Sequence, residues 1–389
     1  MENTKKVILL IDFSESYGRD LLKGIAKYSN LNGPWIFCRM PLSYREKFGV
    51  NGIIEWAKEW NADGIIAQLN NSDDIHQLID TGIPIIAQDF KERFESIPNI
   101  TGKYKEAGQM AAEHFLSKGF ENFAFYGFDD RVWSRERLEG FKDGVKKNGH
   151  TVSVFEEGSS ISRDLWYYKQ SPLSNWLLTL KKPTALFACD DNQGNNVIQA
   201  AKVAGINIPE ELAVLGNDND QTVCEMSDPS LSSIAMDVVK GGYESGALLS
   251  KLMDGDESEI KDIIVEPTHI VSRHSTNILA MQDIEVAKAL RYIRNNRNEI
   301  IGVNDVLKIV SLSRRAIEKR FVKALKRTIY QEIQLSKLEH ICKKLLETDN
   351  SIFNIAVETG FGDSKNLSRY FKKIKGTTPS EFRKIHREY

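Results

Sequence analysis

The sequence predicts two α/β units built on doubly wound parallel sheets, followed by an all-α unit with two helix-turn-helix motifs. Three observations carry this. Short β-rich runs alternate with helical patterns over the first 275 residues, the signature of βαβ units. Beyond residue 281 no strand-like run occurs and helical periodicity is continuous. The charge changes at the same place: residues 281–389 hold 23 Lys and Arg against 13 Asp and Glu, while residues 1–280 hold 29 against 41, so the formal net charge of −2 hides a basic end on an acidic body.

In the first block, residues 7–12 form an apolar run. Residues 19–29 follow with Leu21, Leu22, Ile25 and Ala26 at helical spacing. A short strand is expected at 35–38, a helix at 53–60, a buried strand at 64–67, a helix at 75–80 and a strand at 84–87. A second block repeats the pattern, with strands at 123–126, 152–155, 185–188 and 212–215 and helices at 135–147, 166–180 and 195–204. Near-continuous apolar strands are those of a parallel sheet covered on both faces. Two such blocks leave a cleft between them, and ligands of open α/β sheets bind outside the carboxyl ends of the strands.

Those strand ends are polar. The first ends in Asp12, Ser14, Glu15, Tyr17 and Arg19, and the one at 84 in Gln88 and Asp89. The strand at 123 runs into Asp129, Trp133, Arg135 and Arg137, the one at 185 into Asp190 and Asp191, and the one at 212 into Asn217, Asp218 and Asp220. Carboxylates accept hydroxyl hydrogen bonds, Arg donates in a fork, and an aromatic face covers a C–H face, so the set suits a polyhydroxylated ligand. Any single Asp or Asn after a strand serves equally as the cap of the next helix. The recurrence at five strand ends therefore weighs more than any member.

The C-terminal region opens on a helix bearing Ile284, Ala287, Leu290 and Ile293. Two blocks then align at an offset of 50 residues, "DVLKIVSLSRRAIEKRFVKA" from Asp305 and "IAVETGFGDSKNLSRYFKKI" from Ile355. Val306 matches Ala356, Leu307 matches Val357, Ile317 matches Leu367 and Phe321 matches Phe371. Each block reads as a short helix, a turn (310–312 or 360–362) and a second helix, with Ser313 and Asp363 placed as N-caps. One such hairpin is weak evidence of DNA binding, but two copies with capped basic second helices are specific. A recognition helix sets its N-terminal residues on base edges in the major groove. Its exposed polar positions here are Arg314, Arg315, Glu318 and Lys319, then Ser364, Lys365, Asn366, Ser368 and Arg369. Arg pairs bidentately with guanine and Lys with guanine or phosphate. Arg320, Lys372 and Lys373 read as solvated or phosphate-facing.

Several segments carry family resemblances. "WNADGIIAQLN", "GIPIIAQDF", "RERLEGFKDGV", "GINIPEELAVLGNDND" and "LSSIAMDVVKGGYESGALLSKLMDG" resemble the sugar domain of the LacI-type repressors, over about residues 5–274. That likeness implies a two-lobed periplasmic-binding-protein-like fold, with Arg137, Asp218, Asp190 and Asp89 in ligand-binding positions. The LacI-type N-terminal DNA-binding headpiece has no counterpart here, so DNA binding is expected elsewhere. "SIFNIAVETGFGDSKNLSRYFKKIKGTTPSEFRK" resembles the AraC/XylS-type module, over about residues 285–389. This implies two recognition helices in successive major-groove turns, with Arg315, Glu318, Lys319, Ser364, Lys365 and Arg369 in base-contacting slots. Ser311 departs from that pattern, since a turn glycine is expected there. The order of the two parts, with "YGFDDRVWSRER" and "SYGRDLLKGIAKYS", is similar to the bacterial xylose-operon activators.

The resulting expectation is a sugar-sensing domain over residues 1–274, a linker over 275–282 and an AraC-type DNA-binding domain over 283–389. The expected sugar ligands are Asp12, Tyr17, Arg19, Asp89, Trp133, Arg137, Asp190, Asp191 and Asp218. Expected partners are operator double-stranded DNA, a small sugar effector with xylose favoured, RNA polymerase and a second copy of the chain. No apolar run reaches the ~18 residues of a membrane span and no signal peptide is read, so the chain is expected in the cytoplasm. Cys38, Cys189, Cys224 and Cys342 are scattered and form no CxxC pair, which favours reduced, structural thiols over a metal site. No cofactor is implied. Two rivals stay open at this level: a repressor released by sugar, and an enzyme using paired cleft carboxylates as acid and base. No nucleophile motif, metal-ligand spacing or phosphate-binding loop speaks for the second.

Overall fold

A computed structural model describes residues 4–40, 42–69, 72–157, 170–256, 260–278 and 283–387. The chain opens with β1 (Lys6–Leu10), α1 (Ser16–Asn32), β2 (Ile36–Arg39), α2 (Leu42–Trp60), β3 (Gly64–Gln68), α3 (Ser72–Ile79), β4 (Ile85–Gln88) and β5 (Asn99–Gly102). It continues with α4 (Tyr104–Ser117), β6 (Asn122–Phe128), α5 (Val132–Lys146), β7 (Val152–Glu157), α6 (Gln170–Thr179), β8 (Thr184–Ala188), α7 (Asp191–Val203), β9 (Leu212–Asn217), α8 (Gln221–Met226) and β10 (Ser232–Met236). Then come α9 (Val238–Met253), β11 (Ile263–Val265) and β12 (Pro267–Val271). The helix expected at 53–60 is the second half of α2, which is kinked at Gly49. Of the helix expected at 166–180, residues 166–169 lie outside the described residues.

Two six-stranded sheets result, in the orders β11-β5-β4-β3-β1-β2 and β12-β10-β9-β8-β6-β7. Neighbours pair in parallel except the edge strand β12, which is antiparallel to β10. The two lobes are not consecutive blocks, as the sequence pattern implied. The chain crosses between them at 102–104, 236–238 and 265–267. Helix α9 returns to the first lobe and packs on α1, while α4 belongs to the second and packs on α5.

Both helix pairs meet through glycines. A Cβ on Gly24 would lie 2.0 Å from the Val239 carbonyl oxygen, and one on Gly242 2.0 Å from that of Leu21. In the second lobe, a Cβ on Gly108 would lie 2.1 Å from the Arg137 carbonyl oxygen, and one on Gly140 2.0 Å from that of Lys105. The close approach of α4 to α5 therefore fixes the backbone that carries Arg137. Behind it, Phe115, Phe120, Phe123, Phe125, Phe141 and Phe187 fill the core of the second lobe, where truncating one ring costs about 3–5 kcal/mol.

Residues 275–278, expected in the linker, pack on the second lobe instead. The Ser275 hydroxyl donates to the Val214 carbonyl at 2.6 Å and accepts from the Ser232 N–H at 2.8 Å, and Ile278 touches the phenylalanine core.

The C-terminal region is helical throughout its described residues: α10 (Ile284–Asn295), α11 (Val303–Ile309), α12 (Arg314–Leu325), α13 (Ile329–Glu347), α14 (Ile352–Glu358), α15 (Ser364–Lys375) and α16 (Pro379–Arg387). It has two cores. Val286, Leu290, Ile293, Val306, Ile317 and Phe321 form the first, and Leu338, Ile341, Leu345, Ile355, Leu367, Phe371 and Phe382 the second. Helix α13 gives Ile329 and Ile333 to one core and Leu338, Ile341 and Leu345 to the other, so it is the rod joining the repeats. Its start is fixed by a capping box between Thr328 and Gln331.

Candidate ligand cleft and nucleic-acid interface

A cavity of about 610 Å³ lies between the lobes, within the range of small-molecule sites. Seven of the nine expected sugar ligands line it: Asp12, Tyr17, Asp89, Trp133, Arg137, Asp190 and Asp218. Each sits just past the carboxyl end of β1, β4, β6, β8 or β9, or on the first turns of the helix that follows.

Arg137 is the central group. It is 2% exposed, and its guanidinium donates to the Cys189 carbonyl at 2.6 Å and to Asp218 Oδ1 at 2.9 Å. Its carbon Cζ lies 5.2 Å from the Tyr104 ring centre and 5.3 Å from that of Trp133. Asp218 adopts φ 94° and Asn219 φ 50°, a backbone region that side chains avoid and that marks functional turns. The turn is held by the Asp218 N–H on the Ile234 carbonyl, the Asn219 N–H on Ser233 Oγ, and Arg273 on Asn219 Oδ1 at 2.9 Å.

Asp89 is also buried, and accepts from the Thr101 hydroxyl at 2.6 Å and the Tyr104 hydroxyl at 2.9 Å. Burial pushes its carboxyl up to about 6, against the pull of those two donors and of Arg93. Asp190 is pushed up to about 6 by the same cause while it caps α7 through the Gln193 N–H at 2.7 Å. Capping and cleft-lining are thus combined in one residue. Among the described residues, Gln88 Oε1 and Arg137 Nε are buried without a hydrogen-bond partner. Buried polar atoms in native proteins are nearly always satisfied; these two lining residues keep hydrogen-bonding capacity to spare, as does the Tyr17 hydroxyl.

Arg19 and Asp191 stand outside the cavity lining. Arg19, on α1 of the first lobe, pairs with Asp220 of the second at 2.8 Å. Asp191, 3% exposed, accepts the Asp220 N–H at 2.6 Å, and burial holds its carboxyl well above the usual range. Both therefore shape the rim around Asp220. A second set of contacts joins the lobes. The Val132 N–H donates to the Phe90 carbonyl at 2.8 Å, and Arg93 makes a fork to Glu136 at 2.7 and 2.9 Å.

Sequence reasoning left out Gln68, Phe90, Lys91, Tyr104, Phe128, Arg131 and Gln193, which also line the cavity. Glu15 and Gln88 were noted at strand ends but not put forward as ligands. Gln68 follows the same strand-end rule and was findable. Tyr104 was not, because β5 and the crossing after it went unread.

The second candidate surface lies on α12 and α15. Arg314, Arg315, Lys319, Lys365 and Arg369 are exposed, with Glu318 and Ser364 half-buried. Among the described residues, none of these five cations makes an ion pair. Asn366 is exposed, but its side-chain amide donates to Asp363 Oδ2 at 2.9 Å, tying it to the cap. Ser313 and Asp363 accept from the Ala316 and Asn366 N–H groups, as the cap reading expects. The two turns differ. Gly360 and Gly362 take φ 79° and 75°, a left-handed conformation that favours glycine. The first turn needs none; there the Ser311 N–H bonds the Glu285 carboxylate of α10, which explains how serine serves at that place.

Residues 112–276 match the periplasmic binding protein-like domain family and residues 306–385 the helix-turn-helix domain family. The chain is 30% identical over 392 residues to the xylose operon regulatory protein of Haemophilus influenzae, covering 98% of this chain and 99% of that one. It is 29% identical over 391 residues to the protein of that name from Escherichia coli K12, with 98% of each chain covered. A solved structure described as the xylose-binding transcription activator xylR superposes with a TM-score of 0.61 at 27% identity, over 99% of both chains. Among the described residues, no helix is long and apolar enough to cross a membrane. The full-length match, the two-lobed cleft and the paired helix-turn-helix motifs agree: the chain belongs to the family of the xylose operon regulatory proteins and is a DNA-binding transcription regulator.

Proposed function

We propose that this chain is a sugar-responsive activator of pentose catabolism genes, with xylose as its effector. The observation that carries the effector reading is the interlobe cleft. Arg137 and Asp218 are locked together beside the Trp133 ring, and Gln88 Oε1 and Arg137 Nε await a partner. A small polyol supplies the hydroxyls those atoms lack and a C–H face for the indole. The names of the full-length relatives support xylose among the pentoses.

The sugar binds between the lobes and favours their closed arrangement, and it shifts that equilibrium only by its differential affinity for the two states. The altered arrangement changes how the two basic modules of a homodimer engage neighbouring operator half-sites, and the bound protein recruits RNA polymerase. The sugar is an effector and leaves unchanged. Arg314, Arg315, Glu318, Lys319, Ser364, Lys365, Asn366 and Arg369 form the base-facing surfaces, with Asn366 constrained by its bond to Asp363.

Calorimetry of the purified chain against a panel of pentoses and hexoses tests the effector: xylose should bind most tightly, and no heat with any pentose rejects the reading. A reporter measured with and without xylose tests the sign, since expression that falls on adding xylose contradicts activation. Xylose recovered unaltered after incubation with the chain is the outcome expected of a sensor, and any product would reveal an enzyme.

A further inference from the structure

The C-terminal helices touch the sensor on both sides of the lobe crossings: besides α13, which packs on β12 of the second lobe, two polar attachments stand out. The first is the end of α4. The Arg294 guanidinium, on α10, donates to the Ser117 carbonyl at 3.2 Å and to Ser117 Oγ at 3.1 Å. Helix α4 is a rod of the second lobe whose first residue, Tyr104, donates to Asp89 in the cleft and whose last is Ser117.

The second place is the hinge itself. Of the three crossings between lobes, two are joined where the Asp237 N–H donates to the Glu266 carbonyl at 2.9 Å, and Lys103 of the third pairs with Glu266 at 2.7 Å. Asp237 stands at the N-cap of α9, which packs on α1 in the first lobe, yet its side chain does not cap that helix. Its carboxylate, 7% exposed, instead accepts from His386 Nδ1 of α16 at 3.4 Å. The His386 ring lies 4.5 Å from Phe382, and Phe382 lies 5.3 Å from Phe371 on the buried side of the recognition helix α15. An unbroken packed path therefore runs from the hinge to the second recognition helix. The first repeat is tied through Arg294 and the neighbouring core residue Ile293 to the second lobe.

We propose that the DNA-binding module, seated on the second lobe through Arg294 and α13, reaches across the lobe hinge at His386, and that the His386–Asp237 contact is the one through which lobe closure repositions the second recognition helix. Asp237 starts a helix of the first lobe and Ser117 ends a helix of the second, so a change in the interlobe angle changes the spacing between the two docking points. The module, held at both, must turn or let go of one. His386 and Asp237 are positioning residues in this scheme and touch neither sugar nor base. The coupling half of the proposal rests on the reading of the cleft as the effector site.

Docking is tested first without any sugar, by amide hydrogen exchange on the full chain. In Asp237→Ala and His386→Ala, amides of α16 should exchange at least several-fold faster than in the wild type. His386→Gln, whose amide can still donate to Asp237, should stay close to the wild type. Unchanged α16 exchange in both alanine variants overturns the docking. Coupling is tested by DNA affinity with and without saturating xylose, alongside xylose calorimetry on the same preparations. The proposal expects Asp237→Ala and His386→Ala to bind xylose within about two-fold of the wild type while the xylose-dependent change in DNA affinity collapses several-fold, with His386→Gln restoring it. A full xylose response in both alanine variants overturns the coupling. Absence of xylose heat from the wild type counts against the effector reading alone, and the exchange result still decides the docking.

Discussion

In the cleft, Arg137 is 2% exposed and two of its nitrogens are already bonded, to Cys189 and Asp218. On α12 and α15, Arg315 and Arg369 stand in solvent and make no ion pair among the described residues. The same side chain serves two kinds of recognition. In the cleft, desolvation makes every misplaced polar atom costly, so partners are fixed in advance and one small ligand is accepted. On α12 and α15 the cations are exposed and available to a polyanion, and the helix caps supply the order. Mutations should therefore have large, structure-wide effects in the first region and small, sequence-dependent effects in the second.

The largest expected effect is that of Arg137→Ala. Removing the buried guanidinium takes a donor from both Asp218 and the Cys189 carbonyl, at a cost of about 1–3 kcal/mol or more. The variant should lose sugar binding and melt well below the wild type, whereas Asp218→Asn should lose sugar binding with a smaller drop. Thermal melts with sugar calorimetry read both, and an Arg137→Ala chain as stable as the wild type would erase the contrast between the regions.

Asp89 gives the next effect, read through pH. Its carboxyl titrates near 6 in the folded chain against an ordinary 3.8, so the folded state holds the proton more tightly than the unfolded one. The stability this contributes is full below the ordinary value and is lost as pH rises through the folded one. Relative to Asp89→Asn, the wild type should lose up to ~3 kcal/mol between pH 4 and 7. Denaturant midpoints of the two proteins at both pH values measure it, and parallel curves would show that burial does not govern this carboxyl.

On the DNA side the effects shrink and become local. Arg315→Ala and Arg369→Ala should each cost ~1–3 kcal/mol and relax specificity at one base position. Binding curves on single-base variants of the preferred site decide this; a uniform loss at every position would make them phosphate anchors. Smallest is Lys372→Ala, which should weaken all sequences alike and lower the salt slope by about one. A change in base preference for this variant would move the reading surface further along α15.

The two regions were also unequally legible in the sequence. The recognition helices were readable because the 50-residue repeat aligned Ile317 with Leu367 and Phe321 with Phe371, and all four are core residues. Helix caps are local, so Ser313 and Asp363 could be placed without tertiary knowledge. Cleft residues at strand ends, such as Asp89 and Arg137, followed from the parallel-sheet rule and the resemblance. Arg19 and Asp191 obeyed the same rule yet lie outside the cavity lining, because what decides is the tertiary partner, and for both that partner is Asp220, reached by Arg19 from the other lobe and by Asp191 from within the second. Tyr104 depended on the chain crossing between lobes at 102–104. The Glu285 bond that replaces a turn glycine at Ser311 joins residues far apart in sequence, so no local pattern announces it.

If the chain is a sugar-responsive regulator, occupancy of the cleft changes what the recognition helices do. Selecting duplexes from a random-sequence pool with the full chain, with and without saturating xylose, tests it directly. The enriched sites should contain two conserved segments one helical turn, ~10 bp, apart for each module, with xylose changing their enrichment or the spacing between half-sites. Identical enrichment and spacing in both selections would contradict that dependence.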